Sequence, residues 1–307
     1  ESFDEMTNLP IRFREEIKFS CTIGAVKKLD EFSSSDNSTD KFLWELHDGH
    51  RIESVIIRDE GRITACISSQ VGCKMACTFC RTGSMGFKRN LTSGEIVDQL
   101  IKMRTILKIQ GEDITNIVFM GMGDPLDNLD AVLKSIKIIN METGLSIGMR
   151  KITVSTCGIV PGIYRLTREF RRIGLAISLN AVEDSVRTML MPINRHYPLE
   201  QLLKASKEYV KLTKRRITFE YILIAGVNDS VEHAKKLLEL ARKIPCKINL
   251  IIFNEFDESP HNSPTEDKVA AFQNVLVNGH ITAFLRKSKG TDILAACGQL
   301  ATKNKQE

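Results

Sequence analysis

The chain has 307 residues and a mass of 34.5 kDa, enough to bury one large α/β core or two smaller domains. Its 42% hydrophobic and 26% charged residues are ordinary for a globular protein, and no run approaches the 18 apolar residues that a transmembrane helix needs. The net charge of +5 leans only mildly toward an anionic partner, and eight cysteines, three of them clustered, suit a reducing compartment rather than a disulfide scaffold.

The opening ESFDEMTNLP is polar and acidic and does not read as a secretion signal; the default expectation is the cytoplasm, with a eukaryotic organelle as the other setting. Residues 4–19 predict a short helix with an apolar stripe, and the Ser-rich stretch 33–40 predicts a loop. Alternating runs at 41–47 and 51–57 flank Asp48-Gly49, a two-residue turn signal, and predict a hairpin. Residues 1–61 thus read as an N-terminal helix and hairpin extension, and 62–307 as the core.

From residue 62 strands alternate with helices. Strands are expected at 63–69, 114–120, 151–156, 174–179, 216–224, 246–253 and 280–286. Amphipathic segments lie at 92–109, 127–141, 160–172, 198–213, 229–242 and 264–278. Strands separated by crossover helices pair in parallel, and about six such units suit a partial (β/α)6-type barrel. No GxGxxG follows a strand and no Walker A loop is present. In barrel-like folds chemistry gathers at the C-terminal ends of the strands. Those ends carry the cysteine loop, GMGDP, Ser155, Ser178-Leu179-Asn180 and Asn254.

The cysteine loop is the sharpest local signal. Cys73, Cys77 and Cys80 are spaced C-x3-C-x2-C, with no fourth Cys or His nearby. Structural zinc wants four protein ligands, and so does a ferredoxin cluster. Three thiolates suit a [4Fe–4S] cluster with one iron open to a substrate or cofactor. Phe79, just before the third cysteine, usually accompanies this spacing in radical S-adenosylmethionine (SAM) enzymes. A zinc knuckle completed by a remote ligand, or three buried cysteines, would also satisfy the local pattern. Basic runs at Lys88-Arg89, Arg168 with Arg171-Arg172, Lys211 with Lys214-Arg215-Arg216, and Arg286-Lys287 with Lys289 suggest together a phosphate-contacting surface. Taken singly, each is an ordinary solvated face.

The wider sequence resembles the RlmN/Cfr family of radical SAM RNA adenine methyltransferases. The likeness runs through DEMTNLP, IESVIIRDEGRITACISSQVGC, CTFCRTGSMGFKRNLTSGEI, FMGMGDPLDNL, RKITVSTCGIVP, LMPINRHYPLE, AGVNDS with INLIIFNEF, and LRKSKGTDILAACGQL. It implies that Cys73, Cys77 and Cys80 hold a [4Fe–4S] cluster. Gly123, Asp124, Ser155, Ser178, Leu179, Asn180 and Asn254 match the positions that contact SAM. Cys297 matches the cysteine that becomes S-methylated, Cys66 its disulfide partner, and Glu53 the proton acceptor.

The resemblance also implies a chemistry. Carbon 2 of adenine is not nucleophilic, so direct methyl transfer from SAM fails there, and a radical route is needed. One SAM methylates Cys297. A second, cleaved by an electron from the cluster, gives a 5′-deoxyadenosyl radical that takes a hydrogen from the S-methyl group. The methylene adds to adenine, a base removes the ring proton, and Cys66 attacks Cys297 to free the product. Cys66 and Cys297 are therefore expected to meet across 231 residues of sequence. The implied substrates are adenosines of 23S rRNA, at the peptidyl transferase centre, and of the tRNA anticodon loop. The implied donor is a flavodoxin- or ferredoxin-type protein, and a monomer without membrane contact is expected. Pro125 in GMGDPL looks more like carbon-2 members than carbon-8 members.

Two positions depart from the family pattern: Asp124 stands for the usual Glu and Asn180 for the usual His. Little of the family's N-terminal helical domain is present. From residue type alone, Cys66 and Cys297 would pass as inert core cysteines, Glu53 as a solvated strand residue and Asp124 as a cap for a helix near Asp127. Cys21, Cys157 and Cys246 read as structural. Carbon-8 methylation of an rRNA adenine is one alternative; the other is a non-catalytic relative that binds RNA or zinc, which predicts no dependence on Cys297.

Overall fold

The computed structural model describes residues 2–256 and 259–301. In chain order its helices and strands are α1 (Ile11–Ser20), β1 (Val26–Ser33), β2 (Thr39–Leu46), β3 (Arg51–Asp59), β4 (Arg62–Cys66), β5 (Gln70–Gly72), α2 (Arg81–Ser84), β6 (Phe87–Asn90) and α3 (Ser93–Ile109). Then come β7 (Asn116–Phe119), α4 (Leu129–Asn140), β8 (Ile152–Thr156), α5 (Val160–Glu169), β9 (Gly174–Ser178), α6 (Asp184–Leu190) and α7 (Leu199–Thr213). Last are β10 (Ile217–Leu223), α8 (Val231–Ala241), β11 (Cys246–Ile252), α9 (Glu266–Asn278) and β12 (Ala283–Arg286).

One ten-stranded sheet carries the molecule, in the order β1-β2-β3-β4-β7-β8-β9-β10-β11-β12. The first four strands pair antiparallel, and from β4 onward every pairing is parallel. The parallel part is the partial α/β barrel that alternating strands and helices dictate. β3 pairs directly with β4, Val55 opposite Cys66, so the N-terminal hairpin continues the barrel sheet. Past β12, Lys289 Nζ reaches Asp59 Oδ1 at 2.8 Å and Arg58 O at 2.6 Å, which draws the far end of the sheet to the β3–β4 turn.

Strand alternation sets two faces. On β10, Phe219, Tyr221 and Leu223 are fully buried beneath the helices, with the Tyr221 ring 5.3 Å from that of Phe272 on α9. Thr218, Glu220 and Ile222 therefore face inward. The register carries this inner row from Ser178 through Glu220 and Asn249 to Phe284. The inside of the barrel is polar, and the apolar weight lies between sheet and helices.

The N-terminal region shows where local pattern meets tertiary context. Residues 4–19 do not form one helix: a 3-10 turn at Phe3–Glu5 precedes α1, which starts only after Pro10. Its apolar stripe stays exposed at Ile11, Phe13 and Phe19. The expected loop 33–40 is narrower, because β1 runs to Ser33 and β2 starts at Thr39. Leu46 and His50 bracket a three-residue turn, not a two-residue one, with Gly49 at φ +80°. Trp44 is wholly buried and donates to Ser54 Oγ, which donates to Gln99 on α3. Burying a side chain of this size contributes roughly 2–3 kcal/mol, and the satisfied indole N–H keeps that gain.

Candidate active site

The cysteine loop springs from β5. Gly72 sits at φ +72°, and a Cβ there would lie 1.8 Å from Gly86 O, so only glycine lets the loop fold against β6. Met75, Cys77 and Phe79 pack with Leu190, Met191, Ile224 and Phe253, with Cys73 and Cys80 at the margin of this apolar group. Burial pushes the Cys73 and Cys80 thiols up, so they hold their protons unless a metal cation replaces them. Three thiols in one apolar shell form a donor set that fits an iron–sulfur cluster. Among the described residues no three His, Cys, Asp or Glu side chains converge on one metal position. A mononuclear zinc site needs that convergence; cluster thiolates, each on a different iron, do not. Cys157, expected to be merely structural, lies with its Sγ 3.7 Å from Cys77 Sγ.

Gly123 and Asp124 follow β7. Gly123 has φ +90°, and a Cβ there would strike the Gln70 side chain at 2.4 Å. The Asp124 carboxylate is buried: Oδ2 accepts from Cys157 N at 2.7 Å and Thr156 Oγ1 at 3.0 Å, and Oδ1 accepts from Leu126 N at 2.9 Å. It stitches β7 to β8 and caps no helix. Burial raises it to about 6 against the opposition of these donors. Ser155 and Ser178 are half-buried at the ends of β8 and β9, and Leu179 is buried. Asn180 has φ +55°, a conformation that Asn tolerates well, and its Oδ1 accepts from Ile222 N at 2.9 Å. Its amide is thus engaged in joining β9 to β10.

Arg187 on α6 organises this end of the barrel. It is completely buried and donates to Leu179 O, Ser178 O, Cys157 O and Asn194 Oδ1. In the sequence it is one arginine in a short helix and gives no signal.

The C-terminal segment closes over the inner face. Arg81 N donates to Gly298 O at 2.7 Å and Thr82 Oγ1 to Leu300 O at 2.7 Å, which fastens the segment to the cysteine loop. Asn254 Nδ2 donates to the Cys297 carbonyl at 3.0 Å. Glu53 is buried on β3, 3.2 Å from Lys41 Nζ, and its Oε2 accepts from Ala301 N at 2.8 Å. It is therefore not a solvated strand residue. Burial raises its carboxyl, and Lys41 opposes that.

Cys66 and Cys297 are neighbours, close enough for one thiol to act on the other. Cys66 is buried on the inner face of β4; burial pushes its thiol up and the neighbouring Cys297 pushes it further. Both are free thiols. Cys297 presents surface to solvent as a residue, yet desolvation by the crowded cleft raises its thiol first and Glu220 second, with Arg286 opposing. Thus Cys66, Cys297 and Glu53 sit on one side of the cleft, joined through residues 298–301 to the cysteine loop. Asp124, Ser155 and Ser178–Asn180 stand at the C-terminal ends of β7, β8 and β9.

The radical SAM superfamily model matches residues 67–258. A relative from Syntrophus aciditrophicus, named dual-specificity RNA methyltransferase RlmN, is 49% identical over 100% of this chain and 87% of its own length. One of the same name from Desulfotalea psychrophila is 52% identical over 85% of this chain and 74% of its own. The crystal structure of a radical SAM methyltransferase from Sphaerobacter thermophilus superposes with a TM-score of 0.95 at 42% identity, covering 98% of this chain and 89% of that one. The family model covers more than half of the chain, identity and superposition extend over nearly all of it, and the chain belongs to the radical SAM superfamily and, within it, to the RlmN family.

Proposed function

We propose that this chain methylates carbon 2 of an adenosine in 23S rRNA and in tRNA, with Cys297 as methyl carrier and Cys66 as the thiol that releases the product. The observation that carries this reading is the nearness of these two free thiols, with Cys297 at the start of the segment fastened to the cysteine loop. The names of the relatives supply the substrate class.

Each residue has a task under this reading. Gly123, Asp124, Ser155, Ser178, Leu179, Asn180 and Asn254 position SAM at the strand ends. The Cys297 thiol gives up its proton and its sulfur takes the sulfonium methyl: an S–C bond forms and S-adenosylhomocysteine leaves. Arg286 favours that thiolate. When held by Cys73, Cys77 and Cys80, a [4Fe–4S] cluster supplies the electron that opens a second SAM for hydrogen abstraction. Glu53 takes the ring proton, a role that suits a carboxylate held above its ordinary range by burial. With the methylene joined to carbon 2 by a new C–C bond and the ring proton gone, Cys66 attacks the Cys297 sulfur; the S–S bond forms, the S–CH2 bond breaks, the released pair takes a proton to complete the product methyl, and the unpaired electron of the adduct would return to the oxidised cluster. The reading includes two SAM per turnover, a flavodoxin- or ferredoxin-type electron donor, a monomeric chain and a cytoplasmic setting. No helix among the described residues is long and apolar enough to cross a membrane.

Nucleoside mass spectrometry tests the proposal on RNA treated with iron-loaded protein, SAM and reductant. The expected product is 2-methyladenosine. Only 8-methyladenosine would sink the carbon-2 assignment, and no methylated adenosine would sink the function.

A further inference from the structure

The inner face of the barrel carries a group of cations of which the chemistry above uses only Arg286. By strand alternation Arg62, Thr64 and Cys66 share the inner side of β4. Arg216, just before β10, shares the side of Thr218 and Glu220. Lys247 lies opposite Thr218, and Arg286 opposite Ile251 on the edge strand β12. The hydrogen bonds from Lys289 to Arg58 O and Asp59 bring the end of β12 against the turn that holds Arg62. Cations from four separate segments thus gather on the inner lip of the sheet, where Lys247 feels Arg286, Arg216 and Arg62.

These charges are largely unspent. The Arg216, Lys247 and Arg286 side chains make no hydrogen bond or close ion pair among the described residues, whereas Arg89 is taken by Asp48 and Glu95. Arg62 is held by Asp59 at 3.2 Å, and Glu220 is the carboxylate that faces Lys247 and Arg286. A second feature points to a ligand. Phe284, on the inner side of β12 two residues before Arg286, is 54% exposed. An exposed aromatic among unpaired cations is poor packing and a good platform for an unstacked base. The group adjoins the methyl carrier, since Arg286 acts on the Cys297 thiol.

We propose that this lip is where the RNA strand enters, with Arg62, Arg216, Lys247 and Arg286 on its phosphates and Phe284 stacked on a base beside the target adenosine. The partner class rests on the function proposed above. The strand must be locally single, because an adenine stacked and paired in a helix cannot present its carbon 2 to the Cys297 sulfur near Arg286.

Fluorescence anisotropy of a fluorescein-labelled RNA hairpin with an unpaired loop adenosine tests the lip. The full chain is compared with Arg216→Glu, Arg286→Glu, Phe284→Ala and, on the outer helix α4, Lys137→Glu. Each inner reversal is expected to weaken binding and to flatten the log–log salt dependence by about 0.7–0.9 for each phosphate that is no longer neutralised. Phe284→Ala is expected to weaken it about 5- to 150-fold, the range for one stacked base, and Lys137→Glu to bind like the parent. Parent-like binding by both inner reversals, with iron content unchanged, overturns the lip while leaving the RNA reading intact. An equal loss in Lys137→Glu also overturns it, since net charge alone would then explain the effect. No hairpin binding by the parent overturns the lip together with the RNA reading on which it rests.

Discussion

Replacing Arg187 by Met tests whether the candidate SAM segment is held from behind. The guanidinium donates to Cys157 O at 2.5 Å, Asn194 Oδ1 at 2.9 Å, Leu179 O at 3.1 Å and Ser178 O at 3.3 Å. Methionine fills most of the volume but leaves these acceptors without donors, at about 1–3 kcal/mol for each one that stays dry. Losing the buried charge offsets part of this, because desolvation disfavours the cationic form. The net cost is about 4 kcal/mol, in the range for breaking a buried charged network. With an unfolding entropy of about 2.1 cal/mol/K per residue, that lowers Tm by roughly 6 °C. Calorimetry on cluster-free protein measures the shift, and titration with SAM measures the second effect. The loss of the anchor to Ser178 and Leu179 is expected to weaken SAM binding about tenfold, the equivalent of 1.4 kcal/mol. A Tm within about 1 °C of the parent, together with parent-like SAM affinity, would refute the anchoring role.

Three further outcomes follow from the same geometry. Lys41→Met strands Glu53 as a buried unpaired carboxylate and is expected to cost about 3–5 kcal/mol by urea unfolding, much of it recovered in Lys41→Met/Glu53→Gln; additive losses would contradict a coupled pair. Asp124 binds its proton more tightly folded, near 6, than unfolded, near 3.8, so its contribution to stability is present below about pH 4 and lost as pH rises through 6. The Tm of Asp124→Asn relative to the parent should therefore climb between about pH 4 and pH 7, and a flat difference would count against the raised carboxyl. Gly72→Ala forces a Cβ toward Gly86 O at a positive φ and is expected to cost a few kcal/mol and most of the iron taken up on anaerobic reconstitution; full iron content would show that the loop can relax.

The parallel strands are legible because residues buried on the helix side and short on the inner side make compact apolar runs. The helices between them carry their own period. β1 is silent in the sequence for a physical reason: only Val26 of its eight residues is buried, so an edge strand shows no alternation. The strand expected over 63–69 ends early because the chain leaves the sheet after Cys66 to reach β5, a turn-off that composition does not mark. The cysteine loop announces itself through spacing, and the motif order supplies the remaining candidates. Contacts between distant positions have no local mark. The Lys41–Glu53 pair, the approach of Cys157 to Cys77 and the Arg187 hub each join residues whose neighbours in sequence look ordinary. Asn180 in place of His becomes intelligible only with its φ of +55° and its bond to Ile222 N.

The most direct test of the account is capture of the enzyme–RNA adduct by Cys66→Ala. Iron-loaded variant is incubated with SAM, reductant and RNA, then resolved on a denaturing gel, with Cys66→Ala/Cys297→Ala beside it. The account predicts a covalent protein–RNA species in the single variant and none in the double variant. Freely released methylated RNA at the parent yield from Cys66→Ala would contradict the role of the Cys66–Cys297 pair.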